Sequence, residues 1–91
     1  MNFFVYILQS LKDGRLYIGQ TNNLSERFKR HNDGHVVATR NRRPLELIHM
    51  EIFATRAEAV RRESYLKSLK SAKYILENIA VNSDKLGTLG K

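Results

Sequence analysis

The chain has 91 residues, no cysteine, and 16 Lys and Arg against nine Asp and Glu, which gives a formal charge of +7 and a pI near 10.1. A chain of this length buries only about 60 to 65% of its unfolded surface and has material for one core, so any site must share it. At 42% hydrophobic and 27% charged it is too apolar for disorder, and the lack of thiols excludes disulfides and thiolate metal centres, leaving oxygen and imidazole donors that suit magnesium or manganese.

Phe3 to Gln9 (FFVYILQ) is rich in aromatic and β-branched residues, and Leu16 to Thr21 (LYIGQT) is a second such run. The Asp13-Gly14 pair between them predicts a hairpin. Asn23 followed by Glu26 is a capping-box pattern, and Leu24 with Phe28 supplies an i, i+4 apolar stripe, so a helix is expected from about Asn23 to Asp33, ended by Gly34. Pro44, the only proline, marks where a third strand, Leu45 to Phe53, can begin. Thr55 and Glu58 repeat the capping pattern and open a second helix to about Lys70, and Ser71 can cap a third. In that helix Ala72, Ile75, Ile79, Leu76 and Ala80 fall at helical spacing and are expected to cover the core. The order β-β-α-β-α-α is an α+β layer fold: one domain over residues 1–81, with residues 82–91 expected to be a loose tail.

Charge is unevenly spread. Six basic residues and one acid lie between Arg27 and Arg43, and six basic residues and two acids between Arg56 and Lys73. Such clusters suit a phosphate backbone better than a membrane surface, since neither stretch divides cleanly into a basic face and an apolar one. A solvated basic surface with no particular partner is the competing reading. No apolar run approaches the roughly 20 residues needed to cross a bilayer, and the start lacks the features of a secretory signal, so a cytoplasmic location is expected.

Strand parity decides which side chains meet. In a hairpin with an even loop, Tyr6 and Tyr17 share one face, while Val5, Ile7, Leu16 and Ile18 form an aliphatic set on the other. Gly19 within the second strand marks a close approach by another group on the tyrosine face. Strand packing alone also accounts for each tyrosine. Arg27 and His31 are i, i+4 neighbours on the shoulder of the Leu24/Phe28 stripe and are expected to point toward the sheet edge; snorkelling polar residues of an amphipathic helix are the alternative. Glu63 falls near the packed side of the second helix, with a salt bridge to Arg62, Lys67 or Arg56 as its ordinary explanation.

A Tyr in the first strand, Tyr-Ile-Gly in the second, an Arg ten residues on, a His four later and a Glu in the following helix together resemble the GIY-YIG nuclease superfamily, in particular its small stand-alone members. The matching positions run from about Phe3 to Lys73. The resemblance implies a small three-stranded antiparallel sheet flanked by helices, a single divalent ion (Mg²⁺ or Mn²⁺), and cleavage of phosphodiester bonds. It implies Tyr6, Tyr17, Arg27, His31 and Glu63 as catalytic residues, with Arg27 facing phosphate and Glu63 ligating the metal. The sequence departs from the pattern twice: the GIY triplet reads Phe4-Val5-Tyr6, without its glycine, and neither Asn78 nor Asn82 clearly matches the asparagine that ends some relatives' domains.

Phosphodiester hydrolysis builds negative charge on the phosphoryl and leaving oxygens, so preorganised cations are its main requirement. Arg27 serves the first place and a Glu63-bound ion the second, with Tyr17, helped by His31 or Tyr6, accepting the proton of the attacking water. Lys29, Arg30, Arg40, Arg42 and Arg43 are expected to hold the nucleic-acid backbone without reading bases. The expected activity is a DNA endonuclease, structure-selective and linked to repair or recombination. A binding module that keeps the fold but cleaves nothing, and an interaction domain of a larger repair assembly, are the alternatives.

Overall fold

The Asp13-Gly14 turn joins two strands as its composition predicts. In the computed structural model, which describes residues 1–80, β1 (Phe3–Ser10) and β2 (Leu16–Thr21) form an antiparallel hairpin that sets Tyr6 opposite Gly19 and Leu8 opposite Tyr17. Ser10 organises the turn: its hydroxyl accepts from the amides of Lys12 and Asp13, each at 3.1 Å, and donates to the Arg42 carbonyl at 2.6 Å. The expected loose tail and Asn82 lie outside the described residues.

Each helix starts where a side chain can satisfy its free amides. Asn23 accepts from the Glu26 amide and opens α1 (Leu24–Asn32), which stops where Gly34 takes a φ of 84°. A reciprocal Thr55–Glu58 capping box opens α2 (Arg56–Ser68), and Ser71 caps α3 (Ala72–Asn78). Between α1 and β3 (Leu45–Phe53) lies an element with no sequence signature, a 3₁₀ turn over Arg40–Arg42. The expected α+β order stands.

The sheet order is β2-β1-β3, all antiparallel, so β1 is central and β2 is an edge. Strand alternation gives it two working faces. Val5 and Ile7 pack with Ala59 and Leu66 of α2 and Ile75 of α3, and Leu16 and Ile18 join them. Tyr6, Leu8 and Leu45 pack on the opposite face with Tyr17 and with Leu24 and Phe28 of α1. The β1–β3 pairing shifts register between Ile7, opposite His49, and Leu8, opposite Leu47. Ile48 is the extra residue of that bulge, which lets Leu45 and Leu47 face α1 while Ile48 faces α2.

The third helix covers less than its spacing predicts. Ile75, with Ile79 and Ala80 just beyond the helix, joins the core, whereas Ala72 and Leu76 are exposed. A helix of seven residues at the margin of a small sheet has only one stripe to bury.

Candidate active site

Parity sends the Tyr6 side chain across the face of β2, and Gly19 is what lets it lie there. A Cβ added at Gly19 would stand 2.6 Å from the Tyr6 hydroxyl and 2.7 Å from its Cζ, closer than real contacts allow. Because Tyr6 is fully buried and held at its oxygen, it has no easy way to yield. A Gly19→Ala chain is therefore expected to lose about 1–3 kcal/mol by overpacking, read as a lower urea midpoint with an unchanged m-value.

Two residues of α1 reach that oxygen. Arg27 donates from Nε at 3.3 Å, and His31 Nε2 lies 3.0 Å away. The other His31 nitrogen, Nδ1, is 2.8 Å from the hydroxyl of Thr39, which is itself fully buried. Since guanidinium only donates, the phenol oxygen accepts from Arg27, and the neutral His31 ring donates from one nitrogen and accepts at the other, between the Tyr6 and Thr39 hydroxyls. The result is a continuous hydrogen-bonded chain from Arg27 through Tyr6 and His31 to Thr39. Tyr17 closes the group, its ring edge-on to His31 with centroids 4.8 Å apart and 6.2 Å from the Tyr6 ring.

The i, i+4 spacing of Arg27 and His31 holds, with one correction to their placement. His31 is not on the shoulder of the stripe but is fully buried, which is tolerable only because both ring nitrogens are hydrogen-bonded. Burial first, and then the Arg27 charge, lower its pKa to about 4, so the ring is neutral at neutral pH. Burial raises the Tyr6 phenol; the Arg27 bond and charge oppose this, and the charges of Tyr17 and Glu63 add to it. Arg27 is held more firmly protonated, chiefly by its bond to Tyr6.

Glu63 belongs to the opposite layer, on α2, yet its charge is felt at Tyr6. It is half-buried, and Lys67 one turn on sits 3.0 Å from Oε2. Of the three cations that could have paired with it, Arg62 is instead engaged with Glu51, at 2.8 and 3.0 Å, and Arg56 donates to Gln20. Among the described residues no three His, Asp or Glu side chains cluster to hold an ion. A lone half-buried carboxylate fits Mg²⁺ or Mn²⁺, which keep several waters and take one or two carboxylates plus substrate phosphates.

The five basic residues expected to hold a backbone divide into two groups. Lys29, Arg30, Arg40 and Arg43 are exposed on α1 and the 3₁₀ turn; Lys29 is paired with Asp33, and Arg43 lies over Gly34. Arg42 is turned inward beneath the hairpin, donating to the Leu16 carbonyl at 3.4 Å and standing 3.6 Å from Asp13. Asn78 is exposed and, among the described residues, its side chain bonds within its own helix, donating to the Tyr74 carbonyl. The residue that sequence reasoning missed is Thr39: in a basic, polar run it carries no local signal, and only the fold brings it under His31.

Tyr6, Tyr17, Arg27 and His31 thus converge from three elements. A family described as the GIY-YIG catalytic domain matches residues 2–75, which contain all four and Glu63. The chain belongs to the GIY-YIG family. It is 46% identical over 67 residues to a UPF0213 protein of Bacillus licheniformis, covering 72% of this chain and 68% of that protein. It is 45% identical over 73 residues to the UPF0213 protein YazA of Bacillus subtilis, covering 79% and 73%. The solution NMR structure of a UPF0213 protein from Bacillus halodurans superposes with a TM-score of 0.56 at 33% identity, over 91% of this chain and 87% of that one. The GIY-YIG fold therefore carries its tyrosine pair here without the glycine of the first triplet. Phe4 stands in that glycine's place, in β1 between Thr21 and Ile52 of the neighbouring strands.

Proposed function

We propose that the chain is a metal-dependent endonuclease that hydrolyses phosphodiester bonds in DNA. The observation that carries this reading is the Arg27–Tyr6–His31 group with Tyr17 at its open side. It combines a fixed cation with two phenols and a neutral imidazole, which is what phosphoryl transfer to water needs. Tyr17 is half-buried whereas Tyr6 is enclosed, so Tyr17 is the phenol a substrate can reach. In this scheme the attacking water gives its proton to the Tyr17 oxygen, and the Arg27 guanidinium offsets the negative charge there and on the phosphoryl oxygen. Tyr6, His31 and Thr39 hold Arg27 and Tyr17 in place.

Glu63 is the residue that would hold a divalent ion, which would supply Lewis-acid charge to the reaction. The exposed cations of α1 and the 3₁₀ turn supply sequence-independent phosphate contacts, and the net charge of +7 favours a polyanion. Among the described residues no helix is long and apolar enough to span a membrane. A cytoplasmic place of work is part of the same proposal.

Incubating labelled branched, single-stranded and duplex DNA with the protein in Mg²⁺, Mn²⁺ or EDTA tests the proposal. Cleavage is expected with either ion, to vanish in EDTA, and to fall by about 10²–10³-fold in Glu63→Ala. Tight, salt-sensitive binding with no cleavage of any substrate would instead identify a binding module, and cleavage indifferent to both EDTA and Glu63→Ala would remove the metal from the scheme.

A further inference from the structure

The outer edge of β2 pairs with no other strand among the described residues. A groove of about 500 Å³ runs along it, between the edge strand and the α2–α3 junction. Its aliphatic lining with surface left to cover is Leu16, Ile18 and Ala72, and its exposed cations are Arg15, Lys67 and Lys70. Among the described residues no acidic side chain lines it. Tyr17 and Lys67, the partner of Glu63, are among its lining residues, so the groove borders the candidate active site across the edge of β2.

We infer that this groove holds one unpaired nucleotide next to the cleaved phosphate, which makes the enzyme selective for DNA with a single-stranded flank. This rests on the nuclease reading above. The chemistry of the groove favours that occupant: an aliphatic lining rewards cover by the face of a base, and the cations beside it reward its phosphates. In a duplex those base faces are already stacked, so only an unpaired base has one to offer. The volume lies within the range of sites that enclose a small ligand.

Lys70 adds an independent observation. It follows the end of α2 with a φ of 52°, the left-handed conformation in which glycine is the usual residue. A lysine there accepts a conformational cost to keep its side chain at the groove, and residues held in such a state concentrate at functional sites.

The test separates the groove from the chemistry. A 5′-phosphorylated thymidine dinucleotide is titrated into the full chain in EDTA and followed by amide NMR. The expected shifts are at Leu16, Ile18 and Ala72. In Lys70→Gly or Arg15→Glu the salt slope of log Kd is expected to fall by about 0.7 for each phosphate that the variant no longer neutralises. Lys70→Gly is expected to melt no lower than the parent, so weaker binding by it is not a folding defect. In parallel, two Mg²⁺-dependent cleavage substrates share one duplex, one flush and one with a three-nucleotide flank. The flanked substrate is expected to be cut faster by the parent, and the advantage is expected to disappear in both variants while the flush rate holds. Shifts confined to α1, or a flank preference that both variants keep, would overturn the groove. Groove shifts with no cleavage of either substrate would keep the groove and overturn the nuclease, whereas cleavage without groove shifts would do the reverse.

Discussion

A Tyr17→Phe chain is expected to fold as the parent does and to cleave DNA about 10²–10⁴-fold more slowly, the usual value of a positioned proton acceptor. The substitution keeps the ring that packs edge-on against His31 and removes only the oxygen. Tyr6→Phe makes a different prediction, because the Tyr6 oxygen is the shared partner of Arg27 and His31 inside a fully buried site. Removing it leaves His31 Nε2 without its partner, which costs about 1–3 kcal/mol of stability along with activity. Single-turnover cleavage under saturating enzyme, beside urea unfolding of both variants, separates the two roles. A folded Tyr17→Phe chain that cleaves at the parental rate would end the assignment of proton transfer to Tyr17 and move it to the buried phenol.

That difference between the tyrosines has its origin in the sheet, and most of the sheet was legible from the chain. Asp13-Gly14 set the turn, and the even loop then fixed which side chains share a face, so Tyr6, Tyr17 and the approach over Gly19 followed from local rules. The helix starts were legible for the same reason, since a cap and its third following residue are neighbours in sequence. What sequence could not supply were the features that depend on a partner far along the chain. The extra residue Ile48 arises from a register choice between β1 and β3 and leaves the LELIHMEIF run looking like any strand. Thr39 matters only because the 3₁₀ turn returns beneath α1 and sets its hydroxyl under His31. His31 itself was found by spacing but misplaced in depth: one stripe of apolar residues says which side of a helix is inward, not how far a third element will close over it.

The depth of His31 has a consequence that can be measured without any substrate. Its ordinary pKa of 6.5 is lowered to about 4 in the folded chain, first by burial and then by the Arg27 charge. Above pH 6.5 the ring is neutral in both states and the full stability is present. As pH falls below 6.5 the unfolded chain takes up a proton that the folded chain refuses, so stability drops until the folded ring also titrates near pH 4; the total is about 3 kcal/mol. Asp13, Asp33 and Glu51, held below the usual carboxylate range, lose their contribution with the same sign but at lower pH, as the pH falls past 3.8 to 4.5. The window from pH 6.5 to about 4.5 therefore isolates the buried imidazole. Urea midpoints measured across it are expected to fall steadily for the parent. In His31→Gln, which keeps an amide near Tyr6 and cannot take the proton, they should start lower and stay nearly flat. A parental midpoint that does not change across that window would mean that the ring is already charged when folded. Both ring nitrogens would then donate, to the Tyr6 and Thr39 oxygens, and the acceptor that a neutral ring keeps for one of those hydroxyls would be lost.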